Sequence, residues 1–248
     1  MSIDRAADLL TEANHILVFT GAGVSTESGI PDFRGPNGVW TKVDPNEFTY
    51  ERYLTIPDTR IKSWQRWSTS PLRAAQPNAT HQAIVSIASS GRLEGCVTQN
   101  IDGLHQAAGL SDELTVEVHG NVRQARCLSC DTGWSGEEIF ERVVAGDADP
   151  HCERCGGIIK LTVISFGQQM PYHEMSRGYA MAQAADAVLA VGTTLSVWPA
   201  ADIPLAAARR GIPFIIVNRG DTDLDEAADV KIDGSAGEVM SELVKRIL

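Results

Sequence analysis

The chain has 248 residues, 43% hydrophobic and 21% charged, the balance of a soluble globular fold and not of a disordered or low-complexity one. That length suits one large domain, or one domain with a small insertion, and it buries a full core without covalent staples. Lysine and arginine number 21 against 32 acidic residues, a net charge of −11, which argues against a protein built to grip phosphate backbones and suits a basic peptide better. No run approaches the roughly 18 apolar residues of a membrane span. The opening Met1–Arg5 lacks the basic start and apolar run of a signal peptide, so a cytoplasmic protein is expected.

In chain order, apolar residues at Ile3, Ala6, Leu9, Leu10 and Ala13 predict a helix within Ser2–Asn14. The apolar run Ile16–Phe19 then enters Gly21-Ala22-Gly23, as a buried parallel strand feeding a glycine turn does. Residues 36–76 carry Trp40, Phe48, Tyr50, Tyr53, Trp64 and Trp67 without a strand pattern, and read as a mostly helical or loop excursion. Trp64 and Trp67, at i and i+3, read as one packed helix face. Strands are expected at Gly95–Gln99, Thr115–Val118, Ala187–Gly192 and Phe214–Asn218. Helices are expected at His81–Ser90, Tyr172–Ala185, Ala200–Arg210 and Gly237–Ile247. Strand alternating with helix implies an α/β fold, a parallel sheet covered by helices on both faces. Residues 121–162, short in periodicity, read as an inserted module between 1–120 and 163–248. His15 and His173 read as surface or capping residues, and Asp221–Asp229 as a solvated turn and helix.

That module holds Cys127-Leu-Ser-Cys130 and Cys152-Glu-Arg-Cys155, two C-x-x-C pairs separated by 21 residues. Each pair lets two thiolates reach one ion from a tight turn, and two pairs complete a tetrahedron, so a small zinc ribbon is expected. Four cysteine ligands leave no open position, which makes the zinc structural rather than a Lewis acid. Cys96 lies inside an apolar strand and reads as an inert core residue.

Glycines at 21 and 23 let backbone amides approach a pyrophosphate, and Val24–Gly29 is placed to open a helix whose N-terminus favours phosphate. The third glycine comes only at Gly29, and no second strand with its acidic residue follows. A dinucleotide is therefore expected without an ordinary dehydrogenase. Thr98–His105 and His119-Gly120 follow two further strands. Past the strand ends, Gln99, Asn100, Asp102 and His119 would converge on the dinucleotide with Asp32, Phe33 and Arg34. Individually, Asn100 and Asp102 also suit turns or caps, and His119 a core position; their shared place at strand ends favours a site.

These segments resemble the sirtuin family of NAD-dependent protein deacylases: GAGVSTESGIPDFRG at Gly21–Gly35, TQNIDGLH at Thr98–His105, HG at His119–Gly120 and the two cysteine pairs. Phe166–Pro171, Gly192–Val197 with Pro199-Ala200, and Asn218 continue the collinear match from about residue 14 to 240. The resemblance implies a Rossmann-like NAD-binding domain, with NAD as co-substrate and an acylated lysine peptide in a cleft beside the zinc module. It implies attack of the acyl oxygen on the nicotinamide ribose, then release of nicotinamide, O-acyl-ADP-ribose and free lysine. On this resemblance Gly21, Ala22, Gly23 and Thr26 line the phosphates near Asp32 and Arg34, and Phe33 shields the ribose. Gln99 and Asn100 hold ribose and phosphate, while Ile101 and Asp102 receive the carboxamide. His119 is the general base. Gly192, Thr193, Thr194 and Ser196 take phosphate and adenine ribose, Asn218 the adenosine ribose, and Ser235 and Ala236 border the adenine.

The resemblance also implies a peptide bound as an added strand against Thr162–Gly167, with Val163, Ile164, Phe166 and Gly167 around the lysine. Gln168 stands where the family usually has glutamate, which weakens any preference for basic flanking residues. The Y-x-x-R of family members that remove acidic acyl groups is absent, Gln65 and Ser68 standing there. A buried anionic acyl group would go unpaired, so acetyl is the expected group. Alternatives are a deacylase for longer neutral chains, a mono-ADP-ribosyltransferase and a non-catalytic NAD sensor.

Overall fold

The computed structural model describes residues 2–33, 35, 38–41 and 43–248; Arg34, expected at the cofactor, lies outside them. In chain order the elements are α1 (Ser2–Thr11), β1 (Ile16–Thr20), α2 (Tyr50–Thr55), α3 (Pro57–Ser68), α4 (Ala79–Ser89), β2 (Leu93–Thr98), α5 (Leu104–Ala107), β3 (Thr115–Glu117) and β4 (Gln124–Cys127). They continue with β5 (Gly133–Ser135), α6 (Gly136–Val144), β6 (Ile159–Leu161), α7 (Tyr172–Ala184), β7 (Ala187–Val191), α8 (Asp202–Ala208), β8 (Phe214–Val217), β9 (Val230–Ile232) and α9 (Ala236–Ile247). Among the described residues no helix is long and apolar enough to cross a membrane.

Six strands form one sheet in the order β3-β2-β1-β7-β8-β9, every neighbouring pair parallel. The alternation of a strand's side chains sends Ile16 and Val18 to one face, against Leu10 of α1, Ile84 and Ile87 of α4 and Leu243 of α9. Leu17 and Phe19 go to the other face, against Met175 and Ala182 of α7 and Ile203 of α8. Burial on both faces is why these strands are uninterrupted apolar runs. The strand order reverses between β1 and β7, where a crevice opens at the carboxyl ends of a parallel sheet.

The second sheet, β5-β4-β6, is antiparallel and carries Cys127 at the end of β4, with the other three paired cysteines outside its strands. Trp64 of α3 packs edge-on to Phe140 of α6, ring centroids 6.4 Å apart, in a cluster with Cys127, Cys152 and Ile159 and with Trp67 at its margin. The buried Arg60 of α3 grips Asp149 through Nε at 2.9 Å and Nη2 at 2.7 Å. The 36–76 excursion is mostly helical where described, and its α3 packs against α6 of the cysteine module.

The structure refines the expectations at four places. Residues Ala22–Ser28 form the helix after the glycine turn, of 3₁₀ type, and Gly23 N–H donates to Gly192 O at 2.8 Å. Helix α6 arises inside the module thought aperiodic, capped reciprocally by Ser135 and Glu138. Strand β9 was not anticipated; its three residues are too few for a period to register. Residues 163–165 form no ladder and Phe166 makes only a bridge to Thr49, because their backbone groups are taken by scattered partners.

Candidate active site

The site begins where two glycine turns interlock. A Cβ on Gly21 would stand 2.7 Å from Thr193 Cβ, and one on Gly23 would stand 2.8 Å from Gly192 Cα. Only glycine lets the loop after β1 lie against the loop after β7, and Gly192 itself sits at φ 61°. The result is a floor of main chain at the switch point, the kind of surface a pyrophosphate approaches closely. Ala22 and Thr26 are at its open side, and Thr26 donates its hydroxyl to Gly23 O at 3.0 Å.

Behind this floor the end of β2 is threaded into the same loop. The Thr20 hydroxyl donates to Thr98 Oγ1 at 2.8 Å, which also accepts the Asn100 N–H at 3.0 Å. The Asn100 side chain donates to Gly21 O at 3.1 Å and to Ser25 Oγ at 3.2 Å. Ser25 in turn donates to Asp102 Oδ2 at 2.7 Å, and Asp102 Oδ1 caps Leu104 N–H at 2.9 Å. Asp102 is thus both a capping residue and part of the cluster. Ser25 is buried and was not singled out in the sequence; it joins two residues that were.

His119 follows β3, with its Nδ1 3.0 Å from Gln99 O. A carbonyl only accepts, so Nδ1 carries the proton and Nε2 keeps its lone pair, the tautomer a general base needs. Burial pushes the pKa of His119 below the ordinary histidine value, partly offset by the Gln99 carbonyl, and the ring is neutral near pH 7. Gln99 Nε2 donates to Thr193 Oγ1 at 2.9 Å, tying β2 to the loop after β7. In that loop the hydroxyls of Thr194 and Ser196 pair at 2.8 Å.

Other expected residues stand further from this cluster. Asn218 follows β8 but donates to its own turn, to Arg219 O at 3.1 Å and Gly220 O at 3.2 Å. Ser235 donates to Glu27 at 2.5 Å, and that carboxylate also accepts Gly237 N–H at the start of α9, beside Ala236. Asp32 accepts Gly35 N–H at 2.7 Å, holding its own turn, and Phe33 is exposed. Ile101 packs toward the cysteine module.

The run from Val163 to Gly167 joins the cluster directly. Ile164 N–H donates to His119 O at 2.9 Å, and Phe166 N–H to Phe48 O at 3.1 Å. Phe166 is exposed, and Gly167 takes φ 76° to turn the chain away.

The four cysteines of the module bring their Sγ atoms within 4.8 Å of one another. Cys127–Cys155 and Cys130–Cys152 are at 3.5 and 3.6 Å, near the edge of about 3.8 Å in a tetrahedron with metal–sulfur bonds of about 2.3 Å. This donor set fits zinc and leaves no position open. Cys96 is wholly buried, and burial pushes its thiol up to about 12, so it is inert. His15 and His173 are exposed and pair with Glu94 and Glu174.

The sequence pattern of the Sir2 family matches residues 21–199. The NAD-dependent protein deacetylase 1 of Bradyrhizobium diazoefficiens is 40% identical over 244 residues, 98% of this chain and 95% of its own. A solved structure described for the mechanism and regulation of Sir2 enzymes superposes with a TM-score of 0.91 at 37% identity, covering 99% of this chain and 97% of that one. A Sir2–p53 peptide–NAD+ structure superposes with a TM-score of 0.89 at 31% identity, covering 99% of this chain and 98% of that one.

Proposed function

The chain belongs to the Sir2 family, the sirtuins, and we propose on that footing that it removes acetyl groups from protein lysine side chains. NAD and water are consumed, and nicotinamide, O-acetyl-ADP-ribose and free lysine are released. The single observation that carries this reading is the 3.0 Å approach of His119 Nδ1 to Gln99 O, from which Nδ1 carries the proton and Nε2 is left as a proton acceptor at the strand ends.

When bound, NAD supplies an electrophilic ribose carbon with nicotinamide as its leaving group. His119 takes a ribose hydroxyl proton at Nε2. Asn100 and Gln99 orient the ribose, Ile101 and Asp102 meet the carboxamide, and Phe33 shields the reacting ribose from the departing nicotinamide. Gly21, Ala22, Gly23 and Thr26 hold the phosphates, with Thr193, Thr194 and Ser196 toward the adenine ribose. Asn218 turns its carboxamide from its own loop to the adenosine ribose, and Ser235 and Ala236 border the base. The module of residues 121–162 forms the other wall of the cleft, and its zinc, held by Cys127, Cys130, Cys152 and Cys155, is structural.

The peptide adds as a strand beside Val163–Gly167, reading side chains weakly. A neutral acyl group fits best. Ser68 is buried with its hydroxyl on Gln65 O at 3.1 Å, and Arg66 lies 4.3 Å from the Phe48 ring centroid and 3.6 Å from Glu47, engaged away from any acidic acyl group. The net charge of −11 favours a basic peptide over nucleic acid as partner, and cysteines placed as four metal ligands and one buried thiol, with no disulfide among the described residues, accord with the reducing cytoplasm.

The test incubates the protein with NAD and an acetyl-lysine peptide and follows peptide mass and nicotinamide. Loss of the acetyl mass with stoichiometric O-acetyl-ADP-ribose supports the reading. ADP-ribose added to protein instead, or no NAD turnover, overturns it. In the same assay His119→Ala abolishes deacetylation while NAD still binds.

A further inference from the structure

Lys160 is the middle residue of β6, and it is buried, 4% exposed. Among the described residues no carboxylate pairs with it, and burial alone pushes its pKa down to about 7. Its Nζ donates to the carbonyl of Val163 and, at 3.4 Å, to that of Leu161, and it lies 5.6 Å from the centroid of the Tyr53 ring. Tyr53 is itself fixed by its hydroxyl, which donates to Ile159 O at 2.8 Å.

Desolvating an amine without a counter-ion costs free energy, and a methionine of similar length would fill the same space without that cost. Packing therefore does not account for a lysine at this position. What the amine supplies and a thioether cannot is a donor for the Val163 carbonyl, and it is a donor in either protonation state.

That carbonyl lies at the start of the run toward Phe166. Along the run, Ile164 N–H is held by His119 O and Phe166 N–H by Phe48 O, while Ser165 N–H is held at 3.1 Å by Gln168 Oε1. Residues 164 and 166 are thus anchored by main chain, and residues 163 and 165 by two side chains, Lys160 and Gln168.

We propose that Lys160 is a positioning residue for the acyl-lysine peptide: by pinning the Val163 carbonyl it sets the path of the run that rests on His119 and receives the substrate. This assignment rests on the peptide-binding reading above. It predicts a split between fold and function, because the residue costs stability where it stands and returns it as substrate affinity.

The experiment compares the full-length protein with Lys160→Met, measuring kcat and the separate KM values for an acetyl-lysine peptide and for NAD, with Tm alongside. The variant is expected to melt at or above the wild-type Tm. Its peptide KM rises about tenfold, the effect of one hydrogen bond, while kcat and the KM for NAD stay within about twofold. A peptide KM within about twofold of wild type overturns the assignment, as does a joint fall of Tm, kcat and NAD affinity, which would make the residue merely structural. Absence of deacetylation in the wild type strikes the proposed function first; an active wild type with an unmoved peptide KM in the variant strikes Lys160 alone.

Discussion

Replacing Ser25 with alanine removes one oxygen atom from between Asn100 and Asp102. The hydroxyl is buried, donates to Asp102 at 2.7 Å and accepts from Asn100 Nδ2 at 3.2 Å. Neither partner is stripped bare: Asn100 keeps Gly21 O at 3.1 Å and Asp102 keeps Leu104 N–H at 2.9 Å. A hydrogen bond to a charged group contributes about 1.5–3 kcal/mol and a long neutral one about 0.5 kcal/mol. Asp102 is half-buried, so water reaches its freed oxygen and the lower end applies. The sum is about 2 kcal/mol, or about 30-fold in kcat/KM if Asn100 and Asp102 must both be oriented for the ribose and carboxamide. The assay is the initial rate of nicotinamide release against NAD concentration at saturating acetyl-lysine peptide. The same loss appears as a fall in Tm of roughly 4–8 °C for a chain of this size. A kcat/KM within threefold of wild type together with an unmoved Tm would refute the claim that Ser25 couples the two residues.

Other perturbations test other parts of the structure. Gly120→Ala places a Cβ 2.0 Å from Thr162 O at φ 67°, and is expected to cost well over 2 kcal/mol in urea unfolding. Gly29→Ala, at φ 83° but with nothing within 4 Å, costs only the backbone strain of about 1–2 kcal/mol; equal losses would contradict the steric account. Burial holds His105 down to about 3, chiefly by desolvation, and lowers His81 and His119 as well. The unfolded chain therefore takes up these protons first: stability is full above about pH 6.5 and falls as pH drops from there toward 3, by up to about 1.4 kcal/mol per pH unit per histidine. A urea midpoint unchanged between pH 7 and pH 5 would exclude this. The acid limb of kcat/KM should likewise lie below the ordinary histidine value of about 6.5, and a limb above it would count against His119 as the base. Removing the metal by chelation should lower Tm, since Cys127 and Cys152 share a cluster with Trp64 and Phe140; full metal loss at constant Tm would rule out a structural ion.

Much of this layout was legible because the local pattern and the tertiary environment agree. β1, β7 and β8 are buried on both faces, so their residues are apolar without interruption, and the loops after them announce themselves by glycine. The paired cysteines were readable because a tetrahedral ion sets their spacing within each knuckle and leaves the intervening loop free. Helix α6 was missed although Ser135 and Glu138 carried a capping box, the signal that would have found it. β4, β5 and β6 are short and antiparallel, with only three or four residues each, too few for alternation to stand out.

Local residue chemistry therefore marked the strands β1, β2, β3, β7 and β8, the glycine turns beside them and the paired thiols, because each follows from neighbours in the chain. It could not say that Ser25 meets residues 75 and 77 positions away, that Gly23 donates across the switch point to Gly192, or that the lysine of β6 is buried against a carbonyl of the peptide run. Those contacts exist only once the sheet brings distant strand ends onto one edge. Long-range partners, and not intrinsic preference, then choose the 3₁₀ turn, the histidine tautomer and the course of residues 163–167.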